Sequence, residues 1–160
     1  MTDRVKKSVF DTLYSRGYGP MEKKVLDLFS GTGNLGLEAL SRGAKYLYMV
    51  DSSRKAKQII KKNCQRFNVD CSVIKIYQKD VFSFLKSYEQ TPFDLIFADP
   101  PFKKHYGTRI LQNLLNSKTI SKNTILVLET SKKEEVIIKK PCTLMGEKLF
   151  GDKKVFFFNF

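Results

Sequence analysis

The feature that most restricts the fold is Gly31-Thr32-Gly33-Asn34-Leu35-Gly36, a GxGxxG run directly behind the apolar stretch Lys24-Val25-Leu26-Asp27-Leu28-Phe29. A short apolar run that stops at Ser30-Gly31 reads as a buried strand. Residues 35–42 beyond it read as a helix, closed by Gly43 where a left-handed cap is common. Strand, glycine-rich turn and helix in that order let the main chain turn tightly and pack the helix against the strand. They also bring backbone amides close to a ligand at the end of a parallel sheet.

The rest of the chain repeats this alternation. Residues 3–16 form a helix that Thr2 or Asp3 can cap, with Val5, Val9, Phe10 and Leu13 at helical spacing and Gly17, Gly19 and Pro20 at its end. Strands are predicted at 46–50, 73–77, 93–98 and 124–128, and helices at 53–67, 81–88 and 108–116. The tail is β-rich at 135–139 and 153–160, the second run following the turn dipeptide Gly151-Asp152. These two runs are expected to pair as an antiparallel C-terminal hairpin. Regular alternation gives an α/β fold with a mostly parallel sheet flanked by helices and right-handed crossovers. At 160 residues, with no linker or repeat, residues 1–160 are expected to form one domain.

Acidic residues recur where these strands end. Asp51 closes the second strand, where a carboxylate can accept hydrogen bonds from both hydroxyls of a ribose. Asp80 closes the third, where a side chain can reach an adenine. Asp27 lies inside the first strand, ahead of the glycine loop. A carboxylate there suits a ligand carrying an ammonium group and would repel a pyrophosphate. No second mononucleotide-binding half is present, which disfavours a dinucleotide, and GxxxxGK[ST] is absent, which removes the P-loop reading. S-adenosyl-L-methionine is the expected cofactor, with Asp27, Phe29, Gly31, Gly33, Asn34, Gly36, Asp51 and Asp80 as its candidate residues.

The fourth strand runs into Asp99-Pro100-Pro101-Phe102, on the rim of the same crevice. Two prolines fix φ and remove two amide donors, leaving a stiff turn with outward carbonyls. A base amine can donate one hydrogen to the Asp99 carboxylate and the other to the Pro100 carbonyl, freeing its lone pair for a sulfonium methyl. Phe102 can stack on an extruded base. Asp99, Pro100, Pro101 and Phe102 are the candidate catalytic residues.

Charge and cysteine content narrow the class. With 29 basic against 16 acidic residues the formal net charge is +13, favouring a polyanionic partner. The basic pairs are scattered, so no continuous patch is legible. Cys64, Cys71 and Cys142 form no CxxC pair and with the single His105 supply no zinc set, so no metal is expected. No apolar run nears the roughly 18 residues of a membrane span. No signal-peptide pattern opens the chain, and a cytoplasmic location without a membrane or obligate protein partner is expected.

From Thr2-Asp3-Arg4-Val5-Lys6, through Asp27 to Ala44, to Asp99-Pro100-Pro101-Phe102 and the strand ending in Glu129, the chain resembles the bacterial 16S rRNA guanine-N2 methyltransferases. The resemblance covers essentially the whole sequence, and the segment 27–44 combined with DPPF carries its specificity. DPPF alone is shared with adenine and cytosine amino-methyltransferases. The resemblance implies a class I, Rossmann-like fold of seven strands with the last antiparallel. It implies that the loop 27–36 holds the methionine part of the cofactor, Asp51 its ribose, Asp80 its adenine, and residues 99–102 the target guanine. Thr2, Asp3 and Arg4 would lie near the cofactor and the RNA entrance. The implied partner is small-subunit rRNA or the assembling 30S subunit. Members of the family normally carry a Gly/Arg-rich hairpin before T-D-R-V, whereas Met1 directly precedes Thr2 here. The sequence is thus either a truncated form or a compact member whose lysines supply RNA affinity. The competing readings are an adenine-N6 or other base-amine methyltransferase on another RNA or DNA, a non-catalytic RNA-binding assembly factor, and, last, a dehydrogenase.

Overall fold

The computed structural model describes residues 1–160. Seven strands form one sheet: β1 (Lys24–Leu28), β2 (Tyr46–Asp51), β3 (Ile74–Gln78), β4 (Leu95–Ala98), β5 (Ile125–Ser131), β6 (Thr143–Phe150) and β7 (Lys153–Asn159), in the spatial order β3-β2-β1-β4-β5-β7-β6. The strands β1 to β5 pair parallel, and β7 inserts antiparallel between β5 and β6. Five helices connect them: α1 (Asp3–Ser15), α2 (Asn34–Ser41), α3 (Arg54–Arg66), α4 (Val81–Ser87) and α5 (Gly107–Leu115).

Both faces of the sheet are covered, which is why β1, β2, β4 and β5 read as continuous apolar runs rather than alternating ones. On one face α1, α2 and α3 pack Val5, Val9, Phe10, Leu37 and Ile60 against Val25, Leu47, Phe97, Val127 and Phe157. On the other, α4 and α5 pack Phe82, Leu85, Ile110 and Leu114 against Leu26, Ile96, Leu128 and Phe158. Thr2 is the N-cap of α1, its hydroxyl accepting from the Val5 amide at 3.4 Å, and the four predicted apolar positions of this helix are all buried. Phe10 meets Phe97 with ring centroids 5.6 Å apart, joining α1 to the centre of the sheet.

This is the Rossmann-like class I methyltransferase topology that the alternation and the resemblance imply, including the reversed last strand. One expectation fails. The hairpin partner of β7 is β6, at Thr143–Phe150, and residues 135–139 form no strand. Edge strand β6 lacks a buried face and carries an irregularity between Leu144 and Gly146, so its sequence shows no clean alternation. The run Glu135-Val136-Ile137-Ile138-Lys139 is apolar enough to resemble a strand, yet only Val136 reaches the core and Ile137 is 60% exposed.

Burial of β7 between two strands makes its aromatic side chains structural. Phe157, 1% exposed, sits opposite Val127. Phe157→Ala should cost about 3–5 kcal/mol of stability in urea unfolding. A loss below about 1 kcal/mol would contradict an interior position for this strand.

Candidate active site

The carboxyl ends of β1, β2, β4 and β5 bring four carboxyl groups to one edge of the sheet: Asp27, Asp51, Asp99 and Glu129. Asp27 is 1% exposed, and its Oδ2 accepts the Gly36 amide of α2 at 3.0 Å. Gly36 has no room for a side chain, because a Cβ there would lie 2.9 Å from Leu47 Cδ1 and 3.0 Å from Asp27 Oδ2. Close approach of helix to strand at this point therefore requires glycine.

Between them the loop takes a left-handed path. Phe29 has φ 59°, a conformation that costs a non-glycine residue roughly 1–3 kcal/mol and clusters at functional sites. Its ring stacks on Tyr106 at 6.0 Å and meets Phe82 edge-on at 6.3 Å, packing that holds the strained residue in place. Gly33 follows with φ 78° as the N-cap of α2. Ser30 Oγ donates to the Asp27 carbonyl at 2.6 Å, closing the turn. Asp51 ties the loop to β2, accepting the Gly31 amide at 2.9 Å on Oδ2 and the Ser53 amide at 2.9 Å on Oδ1. Each carboxylate oxygen has a second lone pair, so Asp51 can still accept from two hydroxyls.

A cleft of about 270 Å³ opens over this edge, lined among others by Asp27, Phe29, Gly31, Asn34 and Asp99. Five of the sequence-predicted site residues thus share one cavity. Asp51 borders it through Gly31. Gly33 and Gly36 face inward, against Ile60 and Met49 and against Asp27 respectively. Pro100 is buried, Pro101 exposed and Phe102 half-buried on the adjoining rim. Asp80 stands apart: it is exposed and caps α4, accepting the Ser83 amide at 2.8 Å.

The cleft is electrostatically suited to a cation. Burial pushes the Asp27 carboxyl up to about 7, opposed by the Gly36 amide and reinforced by Asp99 and Asp51. The Met1 amino nitrogen lies against Asp99 Oδ2, so this acid already holds a nitrogen donor. Acid-lined walls, amides at a helix start and a carboxylate able to hold a ribose fit S-adenosylmethionine, whose methionine part carries an ammonium and a sulfonium. No group of three or more His, Cys, Asp or Glu is placed to hold a metal ion, and no helix is long and apolar enough to cross a membrane.

Two residues beside the DPPF turn carry a contact that sequence reasoning did not single out. Glu129 is 0% exposed, and Lys153 Nζ stands 3.1 Å from its Oε1 and 4.8 Å from the centroid of the Phe102 ring. The available signal was a glutamate ending the wholly apolar run Ile125-Leu126-Val127-Leu128. Lys153 gave none, being one of many lysines.

Residues 1–159 match the family described as Conserved hypothetical protein 95. Ribosomal RNA small subunit methyltransferase D of Buchnera aphidicola is 30% identical over 150 residues, covering 92% of this chain and 75% of that protein. The Haemophilus influenzae protein of the same name is 31% identical, covering 93% and 76%. Among solved structures, a putative methyltransferase from Escherichia coli superposes with a TM-score of 0.87 at 25% identity, covering 98% of this chain and 86% of that one. A putative methylase from Haemophilus influenzae gives 0.84 at 30%, covering 98% and 96%.

The raised Asp27 carboxyl has a consequence for stability. Between its ordinary value of 3.8 and about 7, the folded protein holds a proton that the unfolded chain has lost. Stability from this group is full below 3.8 and declines as pH rises through 7. Asp27→Asn carries no charge and keeps an acceptor for Gly36, so its Tm relative to wild type should rise from pH 5 to pH 8. A difference independent of pH would contradict the buried, raised carboxyl. Together the topology, the acid-lined cleft and these relationships place the chain in the Conserved hypothetical protein 95 family, as a class I S-adenosylmethionine-dependent methyltransferase.

Proposed function

We propose that the chain methylates the exocyclic N2 amine of a guanine in small-subunit rRNA. The observation that carries this reading is the position of Asp99, the first residue of the DPPF turn, in the same cleft as Asp27 and the glycine loop. A target amine at Asp99 would then lie beside the cofactor. Bound S-adenosylmethionine would supply a methyl group made electrophilic by its sulfonium.

The remaining steps belong to the chain. Asp27 would neutralise the cofactor's positive charge, and Asp51 would hold its ribose. The backbone amides of the glycine loop would fix the methionine part, and Asp80 at the start of α4 would be available to its adenine. On the other side, Asp99 and the Pro100 carbonyl would each accept one hydrogen of the target amine. That would hold the nitrogen lone pair out of conjugation with the ring and turn it toward the cofactor side of the cleft. Transfer requires the reacting atoms at roughly 3–3.5 Å and near in-line. Asp99 would stabilise the positive charge that develops on the target nitrogen as it accepts the methyl group, and would then receive or relay its proton. The stiff Pro100-Pro101 backbone keeps the acceptors fixed, and Phe102 would stack on the flipped base.

RNA as the substrate class is supported by the names of the two bacterial relatives and by the charge of +13. Lys103, Lys104, Lys132 and Lys133 are exposed and directly follow DPPF and β5, and their positive charge would favour a phosphate backbone. A chain of this size has little room for a separate target-recognition region, and a folded RNA can be recognised by shape.

Nucleoside mass spectrometry of undermethylated small-subunit rRNA and assembling subunits, after incubation with the protein and S-adenosylmethionine, tests the reading. N2-methylguanosine at one nucleotide is expected. N6-methyladenosine would move the target to adenine. No new methylated nucleoside would overturn the rRNA assignment.

A further inference from the structure

Glu129 is a carboxyl residue with no access to solvent, and neither of its oxygens has a hydrogen-bond partner. Its ion-pair partner is the Lys153 ammonium, at Oε1 only. Burying an acid in this way costs free energy, and such a group calls for a reason. Its position suggests one. Ala98 pairs with Leu128 in the parallel register of β4 and β5, so Asp99, just past the end of β4, falls beside Glu129, which is still within β5. Strands stand about 4.8 Å apart. Alternation turns Glu129 to the same face as Asp99, and the charge of Asp99 acts on it, adding to burial in raising its proton affinity. The Lys153 and Met1 amino groups oppose that rise and favour the ionised form.

The Watson–Crick edge of guanine presents two kinds of donor side by side, the N2 amine and the N1–H. Adenine presents an acceptor at N1. We propose that Glu129 is the specificity residue of the target site, accepting the N1–H of guanine through the oxygen that Lys153 leaves free, while Asp99 accepts from the N2 amine. Lys153 holds Glu129 in place from one side and lies over the Phe102 ring from the other, so one ammonium links the base-reading acid to the stacking ring. The inference rests on the guanine reading above and goes beyond it by naming the group that selects the base.

The test uses the target RNA with guanine, or with 2-aminopurine, at the modified nucleotide. 2-Aminopurine keeps the 2-amine but has a bare acceptor at N1. Wild type should lose about 10- to 100-fold in kcat/KM on 2-aminopurine, the effect of one hydrogen bond to a charged group. Glu129→Gln should lose a similar factor on guanine. Its amide can donate to the bare N1, so its penalty for 2-aminopurine should shrink at least tenfold. Equal losses on both bases would assign Glu129 a structural role and overturn the proposal. So would wild type methylating both bases equally, an outcome that needs no variant to fold. Absence of N2-methylguanosine from the wild-type reaction on guanine would remove the guanine reading itself, a result distinct from an unchanged ratio.

Discussion

The contact between Asp27 and the Gly36 amide holds the site together. It joins the last turn of a buried strand to the first turn of the following helix, across a loop whose backbone is left-handed at Phe29, Gly31 and Gly33. A carboxyl at 1% exposure is unfavourable in itself, and one amide offsets only part of that cost. The molecule keeps it where a cationic ligand would complete the neutralisation. A positive group bound beside Asp27 would offset that cost and so link stability to ligand affinity at this side chain.

The other acids extend the same logic along the sheet edge. Asp51 holds the loop by two amides and keeps lone pairs free. Asp99 begins a turn that two prolines make rigid. Glu129 is buried one strand further on and lacks hydrogen-bond partners. The register of parallel β1, β2, β4 and β5 brings four residues far apart in sequence to one end of the sheet without any local motif binding them.

What the sequence revealed follows from this arrangement. Continuous apolar runs and the glycine loop disclose the parallel core because both faces of β1, β2, β4 and β5 are covered. Asp27, Asp51 and Asp99 are legible because each stands beside a local signature. Glu129 is not, because its meaning comes from the register of β4 against β5, and Lys153 joins it only through the antiparallel return of β7. The hairpin partner was misplaced for a related reason: β6 is an exposed edge strand with Gly146 in an irregular pairing, so nothing in Thr143–Phe150 alternates strongly. The more apolar residues 135–139 draw the eye and carry no ladder. Asp80 sits where its sequence position suggests, yet its observed contact is the cap of α4.

Division of labour between the two sides of the cleft is the central claim, and calorimetric titration of S-adenosylmethionine into wild type, Asp51→Ala and Asp99→Ala tests it most directly. Asp51→Ala should weaken binding about tenfold or more, because two hydroxyl contacts and the tether to Gly31 are lost. Asp99→Ala should bind within a fewfold of wild type while losing methyl transfer. Unchanged affinity in Asp51→Ala, or lost affinity in Asp99→Ala, would contradict the assignment of the two acids to cofactor and target.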